Sequence, residues 1–564
     1  MSTTELSGGA ALARALQAHG VAFVFGIAGG KLGPFMHAVQ QTPGLRYVGV
    51  RNEAAAGPMA AAIYAASGAL AVAMGEAGPG GAYLAAGVAH AFNNNLALLA
   101  ITSNNQQAAS YPGRGMFMEQ NNAALFRPIT KWNAAVHTAA RLPELVHEAC
   151  RHALTGRPGP VHLDIPQDIL AARHDFPQSP CSAPGRSRAD SSATETAARA
   201  LAGARRPLLI AGGGVIRSGA DHSFCRLATR LNAAVTVTQM ALGAVPPDLP
   251  GFVGQGGIIG GQAVIRAMRD ADVVLAVGCR FSSWLWDDQG PLVRPPQTLI
   301  HCDIDPVMIG RATPASVALV GDARAVLDDL CDALGTTPPG EESSAWLAEC
   351  AKHRGADIGQ LAALARDDAE PMHPAALAAA LADAMPADAL LCLDGGHTSF
   401  WTNSFARAAA PRTCFHDPGL AQLGFGLPYG IALALLHPDR PVLNVTGDGS
   451  FGFTLAELDT ARRYGANVVT IIHNNASWGV IARSQSMQGF ALGCELHGTD
   501  YAAIARGFGC HGETVRRAAD VRPALDRALN SGLPAVLDCI TRFEPHPCLP
   551  DFGRMGRYHM TGKS

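Results

Sequence analysis

The sequence is poor in charge: Asp, Glu, Lys and Arg make up 16% of its 564 residues, and the formal net charge is −3. Such a balance leaves no electrostatic footprint for nucleic acid, and no run of like charges suggests a tether to an anionic membrane. Apolar runs such as 68–75 and 430–436 are too short to span a bilayer. The 13 cysteines include no CxxC pair, so neither a zinc site nor a disulfide frame is expected, and the thiols read as buried in a reducing compartment. Residues 1–20 lack the charged and continuously apolar regions of a signal peptide. No short-period repeat of the solenoid kind is present. These absences lead to the expectation of a cytoplasmic globular protein without nucleic-acid or membrane partners.

Hydrophobic residues are abundant, at 48%, and the length is too great for one core, so three domains are expected. A Pro-, Ser- and charge-rich stretch at 176–195 and a polar one at 336–344 divide the chain. The expected domains are 1–180, 190–338 and 370–550, with 551–564 a basic tail that either closes over a site or frays. Each part alternates short β-branched runs with Ala-rich helical segments. The runs are 21–26, 47–50, 70–74 and 97–102, then 207–211, 234–238, 273–277 and 298–303, then 389–393, 441–446, 468–473 and 535–540. Strands separated by helices predict three doubly wound α/β parallel-sheet domains, whose ligands sit at the carboxyl ends of the strands.

The most informative stretch runs from Val445 to Gly479. A buried strand ends in Gly447-Asp448-Gly449, a helix is expected from about Leu455, and a second strand ends in Asn474-Asn475, with 24 residues between the two motifs. Asp448 offers a hard anionic oxygen, Asn475 an amide oxygen, and Ser477 a backbone carbonyl, a donor set suited to Mg²⁺ shared with phosphates. The glycines let the backbone approach a diphosphate, and a helix N-terminus favours anions. A lone Gly-Asp-Gly would read as a tight turn; two motifs at the ends of successive strands do not.

From end to end the chain resembles thiamine-diphosphate enzymes of the acetohydroxyacid synthase, benzaldehyde lyase and 2-oxoacid decarboxylase group. The resemblance implies a pyrimidine-binding domain, a central domain and a diphosphate-binding domain, with thiamine diphosphate and Mg²⁺ as cofactors. It extends the cofactor contacts to Gly447, Gly449, Ser450, Trp478 and Gly479. It also implies sites built between two subunits, hence a homodimer or a homotetramer acting on small carbonyl substrates. In the family a glutamate after the second strand protonates the pyrimidine, and Glu53 stands in that place. An apolar acid pocket raises a carboxyl pKa towards the working pH. Within Pro418–Pro428, Leu423 takes the position of the apolar side chain that bends the cofactor, and the Ala421 carbonyl that of the acceptor for its amino group. Leu423 is expected to be apolar and buried.

Gly26-Ile-Ala-Gly-Gly-Lys31-Leu32 looks superficially like a P-loop, but it is one residue short and lacks the Ser/Thr, so a nucleoside triphosphatase is rejected. Gly29, Gly30 and Lys31 are better read as pocket wall, where Lys31 either holds a substrate carboxylate or sulfonate or is a solvated surface lysine. Glu76 replaces a usually small residue before Gly78-Pro79-Gly80. Met118 stands where relatives carry a glutamine, unless Gln120 takes over. Ser484 occupies the place of a selectivity-determining tryptophan, and Trp478 is expected at the pocket. His397 is either an acid/base or a structural histidine. Three central motifs, 211–215, 277–281 and 301–305, occur in relatives that bind FAD or ADP and in relatives that bind neither, which leaves FAD open. The expected activity is a carboligase, lyase or decarboxylase acting on 2-oxo acids or 2-hydroxyketones. The alternatives are a CoA-thioester relative and a non-catalytic regulatory subunit.

Overall fold

The computed structural model describes residues 5–110, 113–176, 185–257, 259–287, 289–335, 341–406, 408 and 410–548. The expected tail 551–564 lies outside them, as do 177–184 and 336–340 of the two polar stretches. Helix Ser191–Ala202 already begins inside the first stretch, capped by Asp190, whose side chain accepts from Ser192 and Ala193 N–H. The 24-residue helix Glu341–Leu364 likewise begins inside the second.

The β-branched runs form three separate six-stranded sheets, every pairing within them parallel. The first and third share one topology. The first reads, edge to edge, Arg46–Gly49, Phe23–Gly26, Val72–Gly75, Leu99–Asn104, Val161–Pro166, Trp132–Ala135. The third reads Cys414–His416, Leu390–Leu393, Val442–Gly447, Val468–Asn474, Ala535–Ile540, His511–Val515. The middle sheet takes the other doubly wound order, with Pro207–Ala211 flanked by Ala234–Val237 and Val273–Val277, the 3-2-1-4-5-6 arrangement of dinucleotide-binding folds.

The first and third sheets share a continuous apolar core. Helix Gly426–Leu436 is apolar all round and buried from Gly426 to Ala434, the pattern of a helix enclosed by protein. It packs against the Ala-rich helix Glu53–Ser67. Sinking each large side chain of that seam, such as Leu427 or Ile431, contributes about 1.5–3 kcal/mol. Backbone amides of Arg51 and Asn52 also donate to the buried Glu457 carboxylate, at 3.0 and 3.1 Å. The N-terminal turn that carries Glu53 is therefore pinned to the C-terminal domain of its own chain.

Candidate functional site

Strands Val442–Gly447 and Val468–Asn474 are neighbours with Gly447 opposite His473. Asp448 and Asn475 thus emerge side by side at the carboxyl edge of the sheet. The helix expected from about Leu455 is broken in two: Asp448–Gly452 starts directly on the strand, and Glu457–Tyr464 follows. Asp448 is 3% exposed and its Oδ2 has no hydrogen-bond partner among the described residues. Burial pushes its carboxyl up to about 6 although nearby backbone amides lower it. The Asn475 side chain accepts from Ser477 N–H at 3.0 Å, around Ala476 at φ +51°. The Ser477 carbonyl accepts from Gly479 N–H at 3.0 Å and keeps a second lone pair.

Glycines keep this edge open. A Cβ on Gly449 would lie 2.5 Å from the Trp478 ring, and one on Gly395, at φ +81°, 2.8 Å from Ser450 Oγ. The resulting cleft of about 380 Å³ takes in Gly447, Asp448, Gly449, Ser450, Asn475, Ser477, Trp478 and Gly479, together with Ala421, Leu423, His397 and Ser484. No group of three His, Cys, Asp or Glu forms a metal cluster among the described residues. One carboxylate with an amide oxygen and a carbonyl is instead the donor set of a hard cation that finishes its shell on phosphate and water, so the residues fit Mg²⁺ and a diphosphate.

One expectation at this cleft needs correction, and the open reading of His397 gains its contacts. Leu423 is half-buried rather than buried, because it faces the open cleft, and Ala421 beside it is exposed at φ +57°. His397 is held rather than free: its Nε2 lies 2.5 Å from the Glu544 carbonyl and 3.3 Å from Trp401 Nε1. Its buried Nδ1 has no partner among the described residues, and burial lowers its pKa.

The N-terminal candidates gather elsewhere. Glu53 opens helix Glu53–Ser67, whose N-cap Asn52 accepts from Ala54 N–H at 2.9 Å. It is 6% exposed, and its pKa is raised by burial, with the neighbouring Glu76 adding to the rise. A Cβ on Gly80 would sit 3.0 Å from Glu53 Oε1 and 3.3 Å from Glu76 Cβ, so this turn must be glycine for the two acids to approach. Glu76 accepts from Lys31 N–H at 3.0 Å, Ala77 N–H at 3.0 Å and Ser103 Oγ at 2.6 Å. Its Oε2 fills the space a Cβ on Gly29 would need, 1.7 Å away, whereas Gly30 faces open space. The Lys31 ammonium lies 3.9 Å from Met118 Sδ and 5.6 Å from the centre of the Phe117 ring. Gln120 is held by its carbonyl, which accepts from Asn104. No residue of this group lines the Asp448 cleft. The single chain therefore keeps its two groups of candidate residues apart.

Models of the thiamine pyrophosphate enzyme family match in chain order: the N-terminal TPP binding domain over 6–125, the central domain over 194–330 and the C-terminal TPP binding domain over 394–539. A probable acetolactate synthase large subunit of Methanocaldococcus jannaschii is 32% identical, over 98% of this chain and 94% of its own length. A probable 2-ketoarginine decarboxylase of Pseudomonas aeruginosa is 34% identical, over 93% of this chain and 92% of its own. The acetolactate synthase large subunit of Corynebacterium glutamicum is 30% identical over 95% and 87%. The chain belongs to the thiamine pyrophosphate enzyme family.

In this thiamine pyrophosphate enzyme a cavity of about 900 Å³ lies at the central sheet. All three central motifs open into it through Gly213, Gly214, Gly278, Arg280 and Asp303. Other polar residues in and behind the enzyme's C-terminal cleft were given no role by the sequence reading. Asp394, buried, accepts from Gly424 N–H, Gly426 N–H and Thr446 Oγ1 at 3.1–3.3 Å and anchors the far end of the Leu423 loop. His473 is 1% exposed with neither ring nitrogen partnered among the described residues, and burial lowers it to about 3. His416 and Gln422 also line the cleft. Lone His and Gln side chains carry no local signal; only the strand-end position of His473, next to Asn474, could have marked it.

Proposed function

We propose that this enzyme uses thiamine diphosphate with Mg²⁺ to form or break carbon–carbon bonds next to a carbonyl, on 2-oxo acids or 2-hydroxyketones. The observation that carries the reading is the buried, unpartnered Asp448 oxygen beside Asn475 and Ser477 at adjacent strand ends. Asp448, the Asn475 amide oxygen and the Ser477 carbonyl hold the metal and, through it, the diphosphate. Glu53, whose pKa burial raises, would donate to the pyrimidine ring. Leu423 would pack against the bound cofactor, and the Ala421 carbonyl would be its acceptor for the amino group. Bound thiamine diphosphate supplies a nucleophilic carbon and an electron sink for cleavage beside a carbonyl.

The two half-sites meet in this reading by pairing two copies, so that Glu53 of one chain faces Asp448 of the other. Large apolar side chains exposed on both halves support it: Phe117 is 80% exposed on the first, Phe453 65% and Ile481 52% on the second. Lys31, whose ammonium meets a thioether and a ring face among the described residues, is proposed to receive an anionic group of the substrate. Replacing it with Met should raise KM for an anionic 2-oxo acid about tenfold, the loss of one exposed-to-half-buried charge contact, with little change for an uncharged hydroxyketone.

A second observation favours an adenine nucleotide, FAD or ADP, in the central cavity. Arg157, Arg217, Arg280 and Arg311 line it opposite Asp303. Arg217 Nε and both polar atoms of Gln239 are buried without partners among the described residues, and such groups require a polar ligand. Denaturing the purified protein and analysing the released ligand tests this; flavin absorbance selects FAD, and release of no nucleotide contradicts the reading.

The main reading is tested by adding thiamine diphosphate and Mg²⁺, following proton exchange at the cofactor's reactive carbon, and offering pyruvate, 2-ketoarginine and benzoin. Fast exchange and consumption of one carbonyl substrate are expected. A protein that binds no thiamine diphosphate under any metal condition would sink the proposal.

A further inference from the structure

The loop that carries Ala421 and Leu423 is gripped from another domain. Asp417, 4% exposed, opens it. Its Oδ1 accepts from Leu420 N–H at 3.0 Å and its Oδ2 from Gln422 N–H at 2.9 Å, so one carboxylate closes the turn on both sides of Ala421. The same oxygens are held by helix Pro79–Asn94: His90 Nδ1 lies 2.8 Å from Oδ2, and Asn94 Nδ2 donates to Oδ1 at 2.5 Å. Asn94 Oδ1 in turn accepts from Gly419 N–H at 3.1 Å. His90 and Asn94 are 1% and 0% exposed, and His90 stacks against Phe425 with ring centres 5.2 Å apart.

The end of that helix is fixed too. Its last carbonyls, at Asn93 and Asn94, accept from Arg280 at 2.9 Å and Arg217 at 2.5 Å, both from the central domain, a favourable place for cations. Trp284, also central, donates to the Pro418 carbonyl at 3.1 Å. The start of the same helix is the Pro79-Gly80 turn against Glu53 and Glu76. One rigid helix therefore runs from the pyrimidine half-site to the loop of the diphosphate half-site. The loop needs such support, because Ala421 sits at φ +57°, where an L-residue is strained and persists only when its surroundings hold it.

We propose that Asp417, gripped by His90 and Asn94, is a positioning residue that sets the Ala421 carbonyl and the Leu423 side chain over the cofactor, so that the N-terminal domain fixes the activation geometry of a cleft in the C-terminal domain of its own chain. Asp417 does so without joining the metal site, since Asp448 and Asn475 are held by other elements. The inference rests on the reading of Ala421 and Leu423 given under Proposed function.

The test uses full-length Asp417→Asn, His90→Gln and the double variant, with Glu53→Gln in parallel. Three quantities are read: the unfolding temperature without cofactor, the dissociation constant for thiamine diphosphate with Mg²⁺ by intrinsic fluorescence, and proton exchange at the cofactor's reactive carbon by NMR. Asp417→Asn should leave the dissociation constant within about threefold of wild type and slow exchange on the order of 100-fold, the cost of roughly 1 Å of misplacement. His90→Gln should slow exchange in the same sense, and the double variant should be no slower than Asp417→Asn alone, because the residues act as a unit. Unchanged exchange in a folded single variant, or additive slowing in the double, would overturn the proposal. So would exchange and affinity falling together with the unfolding temperature, which would make Asp417 a structural residue only. Should Asp417→Asn not fold, His90→Gln decides alone: slowed exchange supports the inference and unchanged exchange removes it. Unslowed exchange in Glu53→Gln would instead strike the activation reading itself.

Discussion

At the scale of single residues, the proposed function sets two carboxylates opposite tasks: Asp448 would lose its proton to a metal, and Glu53 would keep one. Replacing Asp448 with Ala should weaken Mg²⁺-dependent cofactor binding by more than the roughly 10–100-fold that even an outer partner of a metal is worth, measured by calorimetry with and without the metal. For Glu53 the direction of its shift fixes a pH dependence. Burial raises its pKa in the folded chain, so its contribution to stability is complete in acid and is lost as pH rises through the folded value. Glu53→Gln has no proton to lose. In urea titrations of the cofactor-free protein, its stability relative to wild type should be unchanged below about pH 4, near the ordinary glutamate value, and should grow towards neutrality. A constant difference at all pH values would contradict a raised carboxyl. Both acids were legible in the sequence because each stands at a strand end or helix start with telling neighbours. Asp417 was not: its meaning lies in His90, 327 positions away, and no local pattern carries that.

At the scale of elements, what places Glu53 is the crossing of helices Glu53–Ser67 and Pro79–Asn94. A Cβ on Gly57 would lie 2.3 Å from the Gly87 backbone, and one on Gly87 2.6 Å from the Ala54 carbonyl. Gly87→Val should therefore push the helices apart and cost at least the ~1–3 kcal/mol of an overpacked core, read by denaturant unfolding, with exchange at the cofactor slowed as well. Normal stability in that variant would mean that the helices do not approach so closely. The central strands of each sheet were legible because strands covered on both faces are continuous apolar runs. Five of the strands that were missed, among them Trp132–Ala135, Val317–Val320 and His511–Val515, are sheet edges with mixed burial. The sixth, Val161–Pro166, is fully buried but interrupted by His162 and Asp164, which bond to Thr102, Asn104 and Asn122. A buried polar network hides a core strand from any hydrophobic pattern.

At the scale of the whole molecule, the matching topologies of the first and third sheets and their shared core make each chain a pair of linked platforms, one offering Glu53 and the other Asp448. The sequence showed the two motifs and their order; it could not show that one chain holds them apart. The central claim is that a working site takes its acid from one copy and its metal ligands from another. Glu53→Gln and Asp448→Ala chains, carrying different tags and co-expressed, would be isolated through both tags so that every dimer is mixed. Each mixed dimer then has one site with both residues intact and one with neither, and proton exchange at the cofactor should return to about half the wild-type rate, although each variant alone is inactive. A mixed protein as inactive as its parents would show that Glu53 and Asp448 of the same chain serve one site, and would contradict the account.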